Sequence, residues 1–343
     1  MSTISLTQFS KGSGCGCKVA PHLLEEILNG NAADISFPKL LVGNSTQDDA
    51  AVYDLGNGTV LISTVDFFTP IVNDAFTFGK IAAANALSDV YAMGGTPTLA
   101  IAVMGFPVEK LPVETARQII AGAKEICNEA QIPLAGGHTI DASEPFFGLS
   151  VNGIATTQQL RKNSTACAGD VIFITKPIGT GAIATAIKRE QIAAEDAAPA
   201  IHSMCQLNKA GAQLAGLDAV HAMTDVTGFG LLGHLIEMCE GAQLSAEINY
   251  ASVPLLPGMK ELCAKFIYAD NTMRNWKSYE TKTAGIGSES LLTLCDPQTN
   301  GGLMLAVDEN HKAAFLDLAI SASCPVFEVG RFIERKEKVV FVK

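Results

Sequence analysis

Short apolar runs and helical patterns alternate along the chain from Ala50 onwards. Runs rich in β-branched residues predict strands, and apolar positions three and four residues apart predict helices. In the first half the predicted elements are strands at 51–55, 60–65, 99–104 and 146–154 and helices at 76–93 and 113–130. Gly94 and Gly95 follow the first helix and suit its C-terminal cap. The alternation predicts an α/β (α+β) domain over residues 46–157.

A polar stretch at 156–164 interrupts the apolar pattern and predicts a linker. A second series of elements follows and predicts a C-terminal α/β domain over residues 165–343. Its predicted elements are strands at 171–175, 303–307 and 338–342 and helices after Gly181 and at 200–214, 231–239 and 309–320. Residues 267–288 have no clear period and are predicted to form a loop.

The first 45 residues differ from the rest of the chain. A polar, glycine-rich stretch at 11–18 leads into a short helical pattern at 22–28. Such a stretch offers little apolar surface to pack, so the pattern predicts a flexible N-terminal arm over residues 1–45.

Composition narrows the class of protein. The length of 343 residues allows roughly two domains of about 150 residues each. A hydrophobic share of 48% against 17% charged residues excludes a largely disordered chain. Lys and Arg number 24 against 35 Asp and Glu, a net charge of −11, which argues against nucleic acid or an anionic membrane as a partner. The same charge raises the question of how so acidic a chain would bind a polyphosphate.

Location is predicted from what the sequence lacks. No apolar run is long enough to span a bilayer, and the N-terminus has no basic start followed by an apolar run, as a secretory signal would. The nine cysteines are scattered along the chain and do not indicate a disulfide framework. We therefore expect a reducing, cytoplasmic location.

Two cysteines separated by one glycine are the first candidates for chemistry, in Gly14-Cys15-Gly16-Cys17-Lys18. A flexible, exposed setting beside a lysine ammonium favours the thiolate, which is the reactive form of cysteine. Two other interpretations stay open, an incidental pair of thiols and half of a metal site. A zinc site would normally need a second close pair of Cys or His, and the other cysteines are not paired in this way.

Aspartates near the ends of elements are the second set of candidates. They are Asp48 and Asp49 before a strand, Asp66 after one, Asp89 on the first helix and Asp225 in Thr224-Asp225-Val226-Thr227-Gly228. Asn85 and Asp89 share one face of a helix that is otherwise apolar, where polar groups are costly unless partnered or liganded. Each aspartate alone is more often a cap or turn residue, but together they predict a site for a hard cation such as Mg²⁺.

Glycine-containing turns are the third set, at 135–139, 176–181 and 296–302. Backbone N–H groups in such turns can face an anion, above all where a helix begins next. None of the turns matches the P-loop or the Rossmann fingerprint, and each alone is more often an ordinary turn. His138, in the first turn, is open between a structural and a catalytic role.

Taken in order, several motifs closely resemble the selenophosphate synthetase family, also called selenide, water dikinase. The resemblance runs from about Leu6 to the C-terminus, and the part specific to that family is Gly12-Ser13-Gly14-Cys15-Gly16-Cys17-Lys18. The remaining motifs, shared more loosely with the aminoimidazole ribonucleotide synthetase superfamily, are Asp48-Asp49-Ala50-Ala51-Val52, Asn85-Ala86-Leu87-Ser88-Asp89, Gly136-Gly137-His138-Thr139, Thr224-Asp225-Val226-Thr227-Gly228-Phe229-Gly230 and Asp296-Pro297-Gln298-Thr299. Thr272-Met273-Arg274-Asn275 reads as a further family-like loop.

The resemblance implies a two-domain aminoimidazole ribonucleotide synthetase-like fold. It implies a transferase that converts selenide, ATP and water into selenophosphate, AMP and orthophosphate, supplying selenium for selenocysteine or selenouridine synthesis. It also implies a homodimer, in which the N-terminal halves form a shared cleft for ATP and several metal ions. We expect Mg²⁺ as the metal, ATP and selenide as the small-molecule partners, and no nucleic acid or membrane partner.

Site residues carry over from the resemblance position by position. Cys15 takes the place of the catalytic Cys or selenocysteine, and Lys18 takes that of the essential lysine. The implied metal ligands are Asp49, Asp89 and Asp225. The implied nucleotide contacts are Lys18, Thr46, Gln47, Asp48, Asp66 and Asp89, with Gly137, His138 and Thr139 reaching in from the other subunit. Two residues depart from the family pattern: Gln47 stands where some members have Arg, and Asn300 stands where Ser is common.

Two rival classes remain open at this point. Within the superfamily, the chain could be an amidine-forming synthetase or a small-molecule kinase, but those relatives lack the Cys-Gly-Cys-Lys segment. Outside it, Cys15 and Cys17 could serve a non-catalytic thiol-redox or metal-trafficking protein.

Overall fold

Two mixed β-sheets organise the molecule, one in each half of the chain. The computed structural model describes residues 5–10, 12, 14, 27, 37–43 and 48–343. The strands of the first sheet lie between residues 40 and 156, and those of the second lie between residues 171 and 342. This arrangement of helices on mixed sheets confirms the predicted fold class.

The first half contains a six-stranded sheet and two long helices. Its elements are β1 Leu40–Val42, β2 Ala51–Gly56, β3 Thr59–Phe68, α1 Ala75–Ala92, β4 Thr96–Phe106, α2 Val113–Glu129, β5 Leu134–Asp141 and β6 Phe146–Thr156. The strand order is β1-β2-β3-β6-β4-β5, with β4 and β5 parallel and the other neighbours antiparallel. β1 therefore adds to the sheet a strand from the stretch predicted as the arm.

The second half contains a seven-stranded sheet in the order β10-β13-β9-β12-β7-β11-β8. Its strands are β7 Val171–Ile174, β8 Val220–Asp225, β9 Leu244–Ile248, β10 Thr283–Ala284, β11 Leu303–Val307, β12 Phe327–Glu334 and β13 Val340–Val342. Its helices are α3 Thr180–Lys188, α4 Ala194–Cys205, α5 Ala210–Leu214, α6 Gly230–Gly241, α7 Met259–Ala264, α8 Asp270–Tyr279, α9 Ser288–Leu294 and α10 Lys312–Ser321. Every residue of β7 and β11 is buried, as expected for strands that are covered on both faces.

Helix α1 joins the two halves. It packs on β3, β4, β6 and α2 in the first half and on α4, α5 and β8 in the second. Because it is buried on nearly all sides, its sequence is apolar and rich in alanine around most of its circumference. Glycines bring α1 and α2 together: a Cβ on Gly79 would lie 1.9 Å from the Ile119 carbonyl oxygen, and one on Gly122 would lie 1.9 Å from that of Phe76.

The loop at 296–302 links the second sheet to α1. Asn300 has a left-handed backbone with φ 47°, a conformation that asparagine tolerates better than most residues. Its N–H donates to Asn85 Oδ1 at 2.7 Å, and its Nδ2 donates to the carbonyl oxygens of Met204 and Gln206 at 2.6 and 2.8 Å. Asn300, one of the two residues that depart from the family pattern, therefore connects α1 with the end of α4.

The predicted long helices of the first half are confirmed, with 76–93 observed as α1 and 113–130 observed as α2. Two predictions in the second half are wrong. The predicted loop at 267–288, including the family-like loop at 272–275, contains α8, and the single helix predicted at 200–214 is two helices, α4 and α5. Helix α8 was not predicted because its buried face is largely polar, so apolar periodicity is missing. The buried residues are Asn271, Thr272, Asn275 and Tyr279.

Six strands were not predicted, namely β1, β5, β8, β9, β10 and β12. β5 contains two glycines and is exposed along most of its length, so it lacks both the apolar run and the alternation of a typical strand. β12 carries charged residues among its buried ones. These strands therefore form mainly because they pair with neighbouring strands, and the local preference of their residues contributes less.

The predicted N-terminal arm lies largely outside the described residues. Its described residues near the N-terminus are packed, since Leu6 and Thr7 are buried in a short 3₁₀ helix, Leu6–Phe9. Within the described part of the chain, none of the helices combines the length and the apolar character needed to cross a bilayer.

Candidate active site

The aspartates that the sequence singled out meet where α1, β3 and β8 come together. Thr64 and Asp66 lie two residues apart on β3, so both side chains face α1. Asn85 Nδ2 donates to Asp66 Oδ2 at 2.6 Å, and Thr64 Oγ1 donates to Asp89 Oδ2 at 2.5 Å. The prediction that Asn85 and Asp89 share one helix face is confirmed, and the polar groups of that face have partners on the strand.

Asp225 enters the same place from the second half, as the last residue of β8. Ser88 Oγ on α1 donates to Asp225 Oδ2 at 2.5 Å. Asn208 Nδ2 donates in turn to Ser88 Oγ and to the Gly301 carbonyl oxygen, both at 2.8 Å. Since positions 85, 88 and 89 are three and four residues apart, one polar stripe on α1 receives side chains from both sheets.

Asp48 and Asp49 complete the cluster from the segment before β2. Asp48 Oδ1 accepts from the Asn163 N–H, and Asp49 Oδ1 accepts from Thr224 Oγ1, both at 2.8 Å. The second carboxylate oxygen of each is buried and has no hydrogen-bond partner within the described ranges. An anionic oxygen left in this state costs free energy, so the arrangement fits a cation that would satisfy it.

The charges of the neighbouring aspartates act on the carboxylate of Asp49. Burial raises the pKa of Asp49 well above its usual range, and the charges of Asp225, Asp89 and Asp48 raise it further, while the hydrogen bond from Thr224 acts in the opposite direction. Asp89 and Asp225 thus lie near enough to Asp49 for their charges to act on its carboxylate. Their hard oxygen donors are the ligands that Mg²⁺ prefers.

The remaining predicted site residues are not part of this cluster as the structure describes it. Four of them lie outside the described residues: Cys15, Lys18, Thr46 and Gln47. Gly137, His138 and Thr139 lie on β5, the edge strand of the first sheet. His138 pairs with Val103 of β4, whose side chain faces away from α1, whereas Asp66 faces towards it. The sheet therefore separates the His138 side chain from the acidic cluster of its own chain.

Three N–H groups of the glycine turn at 176–181 are occupied from within the chain. Gln298 Oε1 accepts from the N–H groups of Gly179 and Thr180 at 2.9 and 3.1 Å. Asp296 Oδ2 accepts from the Gly181 N–H at 3.0 Å, and burial raises the pKa of Asp296 to about 8. These N–H groups lie at the N-terminus of helix α3. The 296–302 loop therefore caps the helix at the place where an external anion would otherwise bind.

Sequence reasoning gave no role to several neutral side chains that hold the carboxylates, namely Thr64, Ser88, Asn208 and Thr224. Ser88 could have been found, because it follows Asn85 by three residues and so lies on the same helix face. Asn208 could not, because it lies between two helices and only the packing of the halves brings it to α1.

Cys167, Asp170 and His221 form a second group of metal-ligand types, at the edge of the second sheet. His221 Nδ1 lies 2.9 and 3.0 Å from the two carboxylate oxygens of Asp170, and the Cys167 N–H donates to Asp170 Oδ2 at 2.7 Å. Asp170 thus closes the turn that precedes β7 and links it to His221 on β8. We interpret this group as a structural contact.

The other described cysteines carry no sign of reactivity. Burial raises the pKa of Cys127 and Cys263 to about 11 and that of Cys239 to about 12. The thiol is therefore the dominant form of each at neutral pH, and a thiol is a poor nucleophile.

Known proteins match nearly the whole chain. The N-terminal domain of AIR synthase related proteins matches residues 47–155, and the C-terminal domain matches residues 168–343. Selenide, water dikinase of Enterobacter sp. (strain 638) is 53% identical over 96% of this chain and 95% of its own length. Selenide, water dikinase of Pasteurella multocida is 49% identical over 98% of this chain and 95% of its own length.

Solved structures share the fold at low sequence identity. A chain of the HypE-HypF complex has a TM-score of 0.68 at 19% identity, covering 94% of this chain and 95% of that one. AaThiL complexed with AMPPCP and TMP has a TM-score of 0.67 at 17% identity, covering 94% of this chain and 91% of that one. At such identities the likeness concerns the fold alone.

Substitution of Asp49 by Asn tests whether the cluster needs a cation. The change removes one buried charge and keeps an oxygen for Thr224. Because the carboxylates repel one another without a cation, we expect Asp49→Asn to raise the thermal midpoint in EDTA by roughly 2–4 °C. We also expect it to weaken the stabilisation that Mg²⁺ gives the unsubstituted protein.

Thermal unfolding followed with and without Mg²⁺ measures both effects. Asp317→Asn, at an exposed aspartate of α10, serves as the control and should change neither value. A lower midpoint for Asp49→Asn in EDTA, together with an undiminished response to Mg²⁺, would contradict the interpretation of the cluster.

Proposed function

We propose that this chain, which belongs to the selenide, water dikinase family and is a selenophosphate synthetase, binds ATP through divalent ions held in its buried aspartate cluster. The reaction converts selenide, ATP and water into selenophosphate, AMP and orthophosphate. The proposal is carried by two buried carboxylate oxygens, on Asp48 and Asp49, that have no hydrogen-bond partner among the described residues and lie beside Asp89 and Asp225.

Asp49, Asp89 and Asp225 would hold the divalent ions, which we take to be Mg²⁺. Once bound, such ions neutralise the charge of the phosphate oxygens during transfer. The net charge of −11 is then compatible with a polyphosphate substrate, because the metal ions supply the positive charge that the chain lacks.

The proposed reaction has two steps, the first with selenide and the second with water. Selenide, ionised at neutral pH, attacks the γ-phosphorus of ATP, so a Se–P bond forms while the bond to the bridging oxygen of ADP breaks. Hydrolysis of the retained ADP then consumes the water and yields AMP and orthophosphate. Lys18 meets the terminal phosphate as a point charge, and Cys15 acts on the selenide side of the reaction.

Further side chains of the proposed site orient the nucleotide. Asp48 and Asp66 lie at the cluster and face the site from the segment before β2 and from β3. Thr46 and Gln47 precede them in the sequence. Their proposed part is to bind and orient ATP so that its terminal phosphate meets the selenide, which accounts for much of the rate in phosphoryl transfer.

A homodimer is proposed from the uncovered face of the first sheet. Helices cover one face, but the other exposes a set of large apolar side chains: Tyr53, Leu55, Val65, Phe67, Leu99, Ile101, Ile140 and Ile154. Monomeric proteins rarely leave so continuous an apolar surface in water. A second copy is the occupant we propose, because His138 lies on this same face and would be carried towards the partner. Gly137, His138 and Thr139 would then complete the ATP site of the partner.

The roles of the two thiols can be separated by matched substitutions. We expect Cys15→Ser to abolish selenide-dependent AMP formation, since a hydroxyl cannot replace the soft, ionisable thiol, and Cys17→Ser to leave much of it. Lys18→Ala should also abolish turnover. Chromatography of nucleotides after anaerobic incubation with ATP, Mg²⁺ and selenide measures the product. An inactive Cys17→Ser protein beside an active Cys15→Ser protein would reverse the assignment.

The dimer is tested by a charge on its proposed interface. Ile101→Glu places a carboxylate on the apolar face, which disfavours burial, so we expect light scattering to report a mass near 36.0 kDa instead of twice that value. AMP formation should fall with it, while the circular dichroism spectrum stays unchanged. Val113→Glu, at an exposed apolar residue at the start of α2, is the control and should remain dimeric. A dimeric Ile101→Glu protein would contradict this interface.

A further inference from the structure

The described residues between Ser5 and Gly14 are fixed on the body of the molecule just before the chain reaches Cys15. Leu6 is fully buried in the core of the first half. Thr7 donates to Asn73 Oδ1 twice, from its N–H at 3.2 Å and from its Oγ1 at 2.7 Å. Leu6 and Thr7, which precede Cys15 in the sequence, are therefore attached to the first half of the molecule.

One side chain of the second half holds the residues that follow. Lys188, the last residue of α3, donates from Nζ to the carbonyl oxygens of Ser10 and Gly12 at 2.6 and 2.8 Å. The Lys188 carbonyl oxygen accepts from Gln8 Nε2 at 2.8 Å. Hydrogen bonds from a charged donor are stronger than neutral ones, and here two of them meet at one ammonium.

Gly14 is held between the two halves. Its N–H donates to the Thr69 carbonyl oxygen at 3.1 Å, in an isolated antiparallel bridge. Its backbone is left-handed, with φ 54°, and a Cβ there would lie 2.5 Å from Ile71 Cδ1 and 2.6 Å from Thr299 Oγ1. Glycine alone fits this position without a shift of its neighbours.

These contacts share one cleft. Gly12, Ile71, Lys188 and Thr299 line a cleft of about 260 Å³ between the halves. Ile71 belongs to the first half, while Lys188 and Thr299 belong to the second. The path of the chain towards Cys15 thus depends on α3 and on the 296–302 loop as well as on the first sheet.

We propose that Lys188 is a positioning residue, which holds the Ser10 and Gly12 carbonyls and so fixes at this cleft the backbone that leads to Cys15 and Lys18. The inference rests on the proposed roles of Cys15 and Lys18. Lys188 acts through the backbone and does not touch the reacting atoms. Small misplacements of reacting groups cost large factors in rate, so loss of the anchor should lower kcat and leave binding of ATP to the aspartate cluster in place.

Limited proteolysis tests the anchor without any use of activity. Trypsin cleaves after Lys11, which follows Ser10 and precedes Gly12, and cleavage there requires the Ser10 and Gly12 carbonyls to leave their contacts with Lys188. We expect Lys188→Met to release N-terminal peptides several-fold faster than the unsubstituted protein, as measured by mass spectrometry. Lys188→Arg, which keeps a charged donor, should restore much of the protection. Lys277→Met, at an exposed lysine in the last turn of α8, is the matched control and should cleave at the unsubstituted rate.

Steady-state kinetics tests what the anchor does for the reaction. We expect Lys188→Met to lower kcat for selenide-dependent AMP formation roughly 10- to 100-fold, with KM for ATP within about twofold. Lys188→Arg should recover most of kcat. Gly14→Ala disturbs the fit of the same stretch of chain against Ile71 and Thr299 without touching Lys188, so it should reproduce the faster cleavage and the lower kcat if Lys188→Met fails to fold.

The outcomes separate this inference from the proposed function. Unchanged cleavage in both Lys188→Met and Gly14→Ala would overturn the anchor, and faster cleavage with unchanged kcat would overturn its positioning role. A rise in KM for ATP without a fall in kcat would also overturn it, because it would assign Lys188 to binding. If the unsubstituted protein forms no AMP with selenide, the proposed function fails, while the cleavage rates still report on the anchor.

Discussion

Carboxylates inside a protein must be protonated, paired or bound to a cation, and this requirement dominates the junction between the two halves of the molecule. Asp49 illustrates it most clearly, because its pKa is raised by burial and by three neighbouring aspartates. One oxygen of Asp49 is satisfied by Thr224, and the other has no partner in the described part of the chain. Bound divalent ions would turn this costly arrangement into a substrate site.

Helix α1 meets that requirement while it also forms part of the core. Its alanines and Gly79 let it pack closely on α2 and on the first sheet. Its single polar stripe contacts β3, β8 and the 296–302 loop through Asn85, Ser88 and Asp89. The same helix therefore sets the spacing of the halves and the spacing of the carboxylates, so a change in its packing should reach the site.

Sequence pattern was sufficient where one element supplies its own signal. Helix α1 and the shared face of Asn85 and Asp89 follow from periodicity alone. The predicted cation site followed from the number of aspartates near the ends of elements. Helix α8 did not follow, because its buried face is polar and satisfied by distant carbonyl groups, as when Asn275 donates to Gly228 and Cys295. Asn208, Thr224 and the contact between Lys188 and Ser10 depend on which elements pack together, and residues more than a hundred positions apart carry no local signal of that packing.

The requirement for a cation is tested most directly by the affinity for a non-hydrolysable ATP analogue, measured by calorimetry in Mg²⁺ and again in excess EDTA. If the aspartates act through bound ions, binding should be readily measured with Mg²⁺ and fall by roughly two orders of magnitude or more in EDTA, because the phosphates would then face unscreened carboxylates. Asp225→Asn should reduce that difference. Equal affinity in Mg²⁺ and in EDTA would contradict the account, since the acidic cluster would then have no part in holding the nucleotide.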